Sequence, residues 1–180
     1  MLEITDNQYI VRILQLMESE DKLFIVMELT RYGQLEKFFC DDHPDELTEQ
    51  IISLILKQLF SALKYLHGTK NIMHRDIKPE NILVSDFDFS KQKVYIMLTD
   101  FGFACQSQGS SLNAGTPHFK APEIVLGQEY DNKVDIWSAG CIAYYLYAGC
   151  NYPFGAEAET KEELEDIIQN EEPDYEYLAG

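Results

Sequence analysis

The sequence predicts an α+β fold in which helices outweigh a few short strands. Three observations carry this: two pairs of short β-rich runs, a long amphipathic helical pattern after Thr48, and a nearly continuous apolar run from Ile136 to Cys150, interrupted only by Ser138, Gly140 and Gly149. With 180 residues, 46% of them hydrophobic, the chain suits one globular domain with a sizeable core. That balance excludes a disordered tail or a collagen-like fibre.

The elements follow in order. Ile10 to Leu16 and Leu23 to Leu29 are β-rich runs joined by the polar stretch Glu18-Ser-Glu-Asp-Lys22, and they predict an antiparallel hairpin. A helix is expected from Thr48 as N-cap through Ile51, Ile52, Ile55, Leu59, Leu63 and Leu66, with Gly68 as its stop. Ile82 to Val84 and Lys93 to Thr99 predict a second hairpin. From Ala104 to Pro122 periodicity is lost and Ser, Gly, Asn and Pro gather, which predicts a long functional loop. An apolar helix follows over about Lys133 to Ala148, and another starts at Thr160, where Thr160-x-x-Glu163 forms a capping box. Neither internal repeats nor a Gly/Ser linker suggest a second domain.

Charge narrows the function. With 31 Asp+Glu against 14 Lys+Arg the net charge is −17, which argues against nucleic-acid or anionic-lipid partners. The acidity is uneven: the last thirty residues carry −9, whereas residues 61 to 120 carry +2, so an anionic phosphate is acceptable in the middle third. The four cysteines show no metal-ligand spacing and are expected as free buried thiols in a reducing compartment. The N-terminus lacks a signal-peptide pattern, and the fifteen-residue run ending at Cys150 falls short of the roughly 20 residues of a membrane span. A cytoplasmic location is the corresponding expectation.

The chemistry-bearing residues are His74-Arg75-Asp76-Ile77-Lys78-Pro79-Glu80-Asn81, then Asp100-Phe101-Gly102, Gly115-Thr116-Pro117 and Ala121-Pro122-Glu123. In this order they resemble the signature of the eukaryotic serine/threonine protein kinases, most nearly the calcium/calmodulin-dependent group, over nearly the whole chain. The resemblance implies a mainly α large lobe with a remnant small-lobe β hairpin. It divides the chain into residues 1–29, small-lobe remnant and hinge, and residues 30–180, a truncated large lobe.

The same resemblance implies transfer of the ATP γ-phosphate to Ser/Thr hydroxyls of protein substrates, with Mg2+. Phosphoryl transfer is mainly positioning and charge neutralisation. Asp76 would accept or orient the substrate hydroxyl proton, Lys78 would steady the transferring group, and Thr116 would tie the two together. Asn81 and Asp100 would hold magnesium through hard oxygens. Backbone groups of Glu28 and Thr30 would meet adenine, with Met27 at the back of the pocket and Leu83 as its floor. Asp135, heading an apolar helix where an unpaired carboxylate is costly, would bond the backbone of the catalytic loop. Leu2, Ile13, His74 and Phe101 would stack as a spine between lobes. Arg75 would order the long loop through a phosphate, with Ser110 and Ser111 nearby and Leu112 in closest register.

The sequence also departs from the family. A G-x-G-x-x-G loop and its strand lysine are missing, as is the late arginine that would pair Glu123, so that carboxylate is expected to lack a partner. The hairpin from Ser85 to Met97 is longer than the family minimum and is expected to be a tolerated surface insertion. Glu80 is retained, but Gln34 and Tyr145 stand where arginine-preferring relatives carry acids. A non-catalytic binding or scaffold module is therefore the alternative reading.

Overall fold

Short-range pattern and long-range packing meet at the long helix. In the computed structural model, which describes residues 6–107, 109–173 and 175, α1 (Glu49–Tyr65) begins where Thr48 accepts a hydrogen bond from the Ile51 N–H. Its buried face is Ile51, Ile52, Ile55, Gln58, Leu59, Ala62 and Leu63. The helix does not stop at Gly68. It widens into a π-helical turn, Leu66–Lys70, which ends at Asn71 with φ +54. Asn tolerates the left-handed region, so it takes the terminating role that the glycine was expected to play.

The first hairpin pairs β1 (Ile13–Glu18) with β2 (Leu23–Met27) in antiparallel register, Leu16 opposite Ile25. The expected strand begins three residues later than its β-rich run. Ile10 instead forms a parallel bridge to Leu98, and Val11 donates to the Leu98 carbonyl. Its two apolar residues are thus spent on the body of the fold, where both are buried.

Three strands then form a sheet in the order β3 (Gly33–Gln34), β5 (Ile82–Asp88), β6 (Lys93–Leu98). Gln58 of α1 clamps this sheet: its side chain donates to Val94 O and accepts from Ile96 N. The β5–β6 hairpin is not a peripheral insertion. Phe87, Val94 and Ile96 are buried, and Phe87 meets Phe38 and Phe39 edge to face or tilted at 5.4 and 5.7 Å.

The long loop carries more order than its composition suggests. The short strands β4 (Ile72–Met73) and β7 (Cys105–Gln106) pair, and a single 3-10 turn forms at Pro117–Phe119. The short helix α2 (Pro122–Val125) leads to α3 (Lys133–Tyr147), whose buried residues cover most of its circumference, but Ile136, Gly140 and Tyr147 form an exposed stripe, so the apolar run is not buried all round as expected. The last helix, α4 (Lys161–Asn170), is capped by Thr160 accepting from Glu163 N, while the Glu163 carboxylate reaches back to Glu159 N.

One expectation about the cysteines fails. Cys40 and Cys150 form a disulfide with their Cα atoms 6.0 Å apart, while Cys105 and Cys141 remain free. No helix is long and apolar enough to cross a membrane, among the described residues.

Candidate active site

The site is assembled on one buried carboxylate. Asp135, 1% exposed in the first turn of α3, accepts from the backbone N–H groups of His74 and Arg75 at 2.8 Å each. His67 Nε2 approaches the same carboxylate at 2.8 Å. These bonds hold Arg75 at φ +69, a conformation that costs a non-glycine residue energy unless its surroundings fix it. His74 lies fully buried beneath, its Nε2 against Thr99 O and its ring 4.8 Å from that of Phe101. Burial lowers its pKa, so it is neutral. A carbonyl can only accept, hence the proton sits on Nε2, and Nδ1 accepts from Asp76 N at 3.3 Å.

Asp76 then presents its carboxylate to three partners. Oδ1 accepts from the Thr116 hydroxyl at 2.8 Å, and Oδ2 accepts from Asn81 Nδ2 at 3.0 Å with Lys78 Nζ at 3.3 Å. Lys78 Nζ also donates to Thr116 Oγ1 at 2.9 Å, so one hydroxyl joins cation and anion. Gly115 makes this approach possible. Its φ is +98, and a Cβ there would lie 2.6 Å from the Arg75 carbonyl oxygen.

Asp100 reaches the same neighbourhood by sheet geometry. Thr99 N donates to Asn81 O at 2.9 Å, which sets the end of β6 beside the catalytic-loop turn, and Asp100 follows at φ +61 with Oδ1 accepting from Gly102 N. Asn81 commits its Nδ2 to the Asp76 carbonyl and carboxylate oxygens, so its amide oxygen is the end that could accept a further partner. Among the described residues no three His, Cys, Asp or Glu side chains gather as a metal cage. The Asn81 amide and the Asp100 carboxylate are hard oxygen groups of the kind that could hold a magnesium ion.

The residues expected to face a nucleotide are more open. Thr99 Oγ1 lies 3.9 Å from Met27 Sδ, and Met27 is 43% exposed. Glu28 uses its N–H on Arg12 O, and its carboxylate accepts from Arg12 N. Thr30 follows the nearly fully exposed Leu29, and Leu83 is half-buried on β5 between Gln34 and Met97. Of the expected spine, Ile13 is half-buried and His74 meets Phe101, while Leu2 lies outside the described residues.

Arg75 donates to Phe103 O, Ser110 Oγ and Tyr130 Oη. Ser110 is therefore the serine brought to this arginine, while Ser111 and Leu112 are exposed. Glu123 is half-buried and makes none of the ion pairs found among the described residues.

Three contributors escape sequence reasoning. His67 supports Asp135 from the π-helical turn after α1, Tyr130 braces Arg75 by accepting from its guanidinium while donating to Leu112 O, and Glu36 accepts from Tyr145 Oη at 3.0 Å. Only Gly115 carries a local signal, its place before Thr116-Pro117.

The sequence pattern that defines the protein kinase domain matches residues 1–176. The chain belongs to this family. Among curated relatives, mouse serine/threonine-protein kinase 33 is 37% identical over 181 residues, covering 96% of this chain and 36% of that protein. Rat serine/threonine-protein kinase DCLK2 is 41% identical over 160 residues, or 88% of this chain and 20% of that protein. Calcium-dependent protein kinase 5 of Plasmodium berghei is 42% identical over 151 residues, covering 82% of this kinase chain and 25% of that protein. The chain thus spans between a fifth and about a third of the length of these relatives.

Proposed function

We propose that this kinase chain carries the catalytic segment of a serine/threonine protein kinase, which transfers the γ-phosphoryl group of ATP to a Ser or Thr hydroxyl of a protein substrate. One observation carries the reading: the Asp76 carboxylate is held by Thr116, Asn81 and Lys78 in a single network. An ionised carboxylate offers about four acceptor positions, so a substrate hydroxyl can still bond to it. As that oxygen forms its bond to phosphorus and the bond to ADP breaks, Asp76 orients the hydroxyl and takes its proton. Lys78 places a cation beside the transferring group, and Thr116 keeps Lys78 from collapsing fully onto Asp76.

Magnesium would sit on the Asn81 amide oxygen and Asp100, where it neutralises phosphate charge. Glu28 has spent its N–H, so its carbonyl is the group it would offer adenine, with the Thr30 backbone beside it, Met27 behind and Leu83 below. Residues 1–29 serve in this reading as small-lobe segment and hinge, and residues 30–180 as large lobe. The location we propose is inside the cell, where ATP and protein substrates meet.

A non-catalytic docking module is the second reading, favoured by the exposure of Met27 and Leu29, 43% and 98%. A phosphorylation assay on the full reading frame separates the two. Transfer by the wild type that Asp76→Asn abolishes supports the kinase. Absence of transfer from both forms, or equal transfer by both, overturns it.

A further inference from the structure

Cys40 and Cys150 are 110 residues apart in sequence, and their disulfide joins two elements that are already packed together. Cys40 lies in the π-helical turn Lys37–Asp42, anchored by the buried Phe38 and Phe39. Cys150 sits just past α3 at φ +69, its N–H donating to Tyr145 O at 2.7 Å. The Glu36–Tyr145 hydrogen bond, 3.0 Å long, spans the same junction. Opening the disulfide would thus leave a packed, hydrogen-bonded contact. Both cysteines are half-buried and line an open cavity of about 270 Å³ with Phe39, Pro44 and Gly149, so a small thiol can reach the sulfurs. The free Cys141 differs: burial pushes its thiol up to about 12, which leaves it without thiolate character.

We propose that Cys40 and Cys150 form a reversible thiol–disulfide modification site, opened and closed by a glutathione-class thiol couple. In opening, a thiolate attacks one sulfur, the S–S bond breaks, and a mixed disulfide forms while the released cysteine takes a proton. A second thiolate then attacks the mixed disulfide, freeing the other cysteine and yielding the oxidised couple. Two electrons and two protons pass from two small thiols to the protein. The closed form removes freedom from an unfolded loop that contains α1, the Asp76 segment and α3, so oxidation raises the barrier to losing the site's scaffold.

The test needs no activity measurement, and its failure leaves the kinase reading untouched. The full chain is equilibrated in graded ratios of reduced to oxidised glutathione, followed by differential alkylation with mass spectrometry and thermal melting. The expected result is a linked Cys40–Cys150 peptide in oxidised buffer that is lost, without denaturant, in reduced buffer. Melting should fall by roughly 5–15 °C on reduction. Cys40→Ser and Cys150→Ser should each melt like the reduced wild type in both buffers, while Cys105→Ser should respond as the wild type does. The proposal is overturned if both thiols alkylate in fully oxidised buffer, if the link survives reduced glutathione until the chain unfolds, or if melting is equal in both buffers.

Discussion

The segment around Asp76 and the β1–β2 hairpin are held in opposite ways. His74, Asp76, Asn81 and Asp135 are between 0% and 6% exposed, and their partners come from α3, the Gly115-Thr116 turn and the end of β6. In the hairpin, Leu14, Leu23 and Phe24 are 55%, 60% and 48% exposed. One region is a polar network closed by the elements around it, and the other is an apolar ribbon that needs cover to be dry. Damage to the first should therefore be costly and local to chemistry, whereas change in the second should barely register in stability.

The largest effect is expected at Asp135. Replacing it by Ala strands two buried N–H groups and leaves Arg75 in a strained conformation with less support, at a cost of about 3–5 kcal/mol. Urea denaturation should show this loss. Gly115→Ala comes next, because the new Cβ meets the Arg75 carbonyl and φ is positive. About 1–3 kcal/mol of stability should disappear. Thr116→Val keeps the shape but removes the hydroxyl between Lys78 and Asp76, so phosphate transfer should fall by about 10–100-fold with nucleotide affinity nearly unchanged. Thr116→Ser should recover most of it; a variant as inactive as Val would show that the methyl group, not the hydroxyl, matters.

Acid should weaken the same region by a smaller step. Burial lowers the pKa of His74, and in the same direction that of His118, below the ordinary value of 6.5. Between that value and the lower native one, the unfolded chain binds a proton that the folded chain refuses. Stability is therefore full above about pH 6.5 and declines as pH falls, by about 1.4 kcal/mol per pH unit for His74 while its window lasts. Denaturation midpoints that are flat from pH 7 to 5 would contradict a neutral buried imidazole.

The gathering of Asp76, Lys78, Thr116 and Asn81 is expected only through the kinase resemblance that the order of the motifs carries, since nothing local in the sequence says which turns meet. Asp135 is legible for a different reason: a carboxylate on an otherwise apolar helix has to find donors. The disulfide is not legible, since proximity across 110 residues depends on how the π-helical turn docks on α3. Nor is the burial of Phe87, whose neighbours Asp86 and Asp88 make the segment look like surface until Phe38 and Phe39 are placed beside it. The end of α1 is misjudged because Gly68 and Asn71 both suit a left-handed stop, and only packing chooses between them.

The smallest effect sharpens the comparison most. Leu23 and Phe24 on β2 pair with Glu18 and Met17, so Thr at both positions keeps the strand preference while removing apolar surface that is already wet. Burial that does not exist cannot be lost, and stability should change by less than about 0.5 kcal/mol. Aggregation should change more, because exposed apolar strands recruit one another at their edges. Light scattering during slow heating should show a later onset for Leu23→Thr/Phe24→Thr than for the wild type. If urea denaturation of the variant instead reveals a loss near that of Gly115→Ala, the hairpin is covered in solution and the contrast between the two regions collapses.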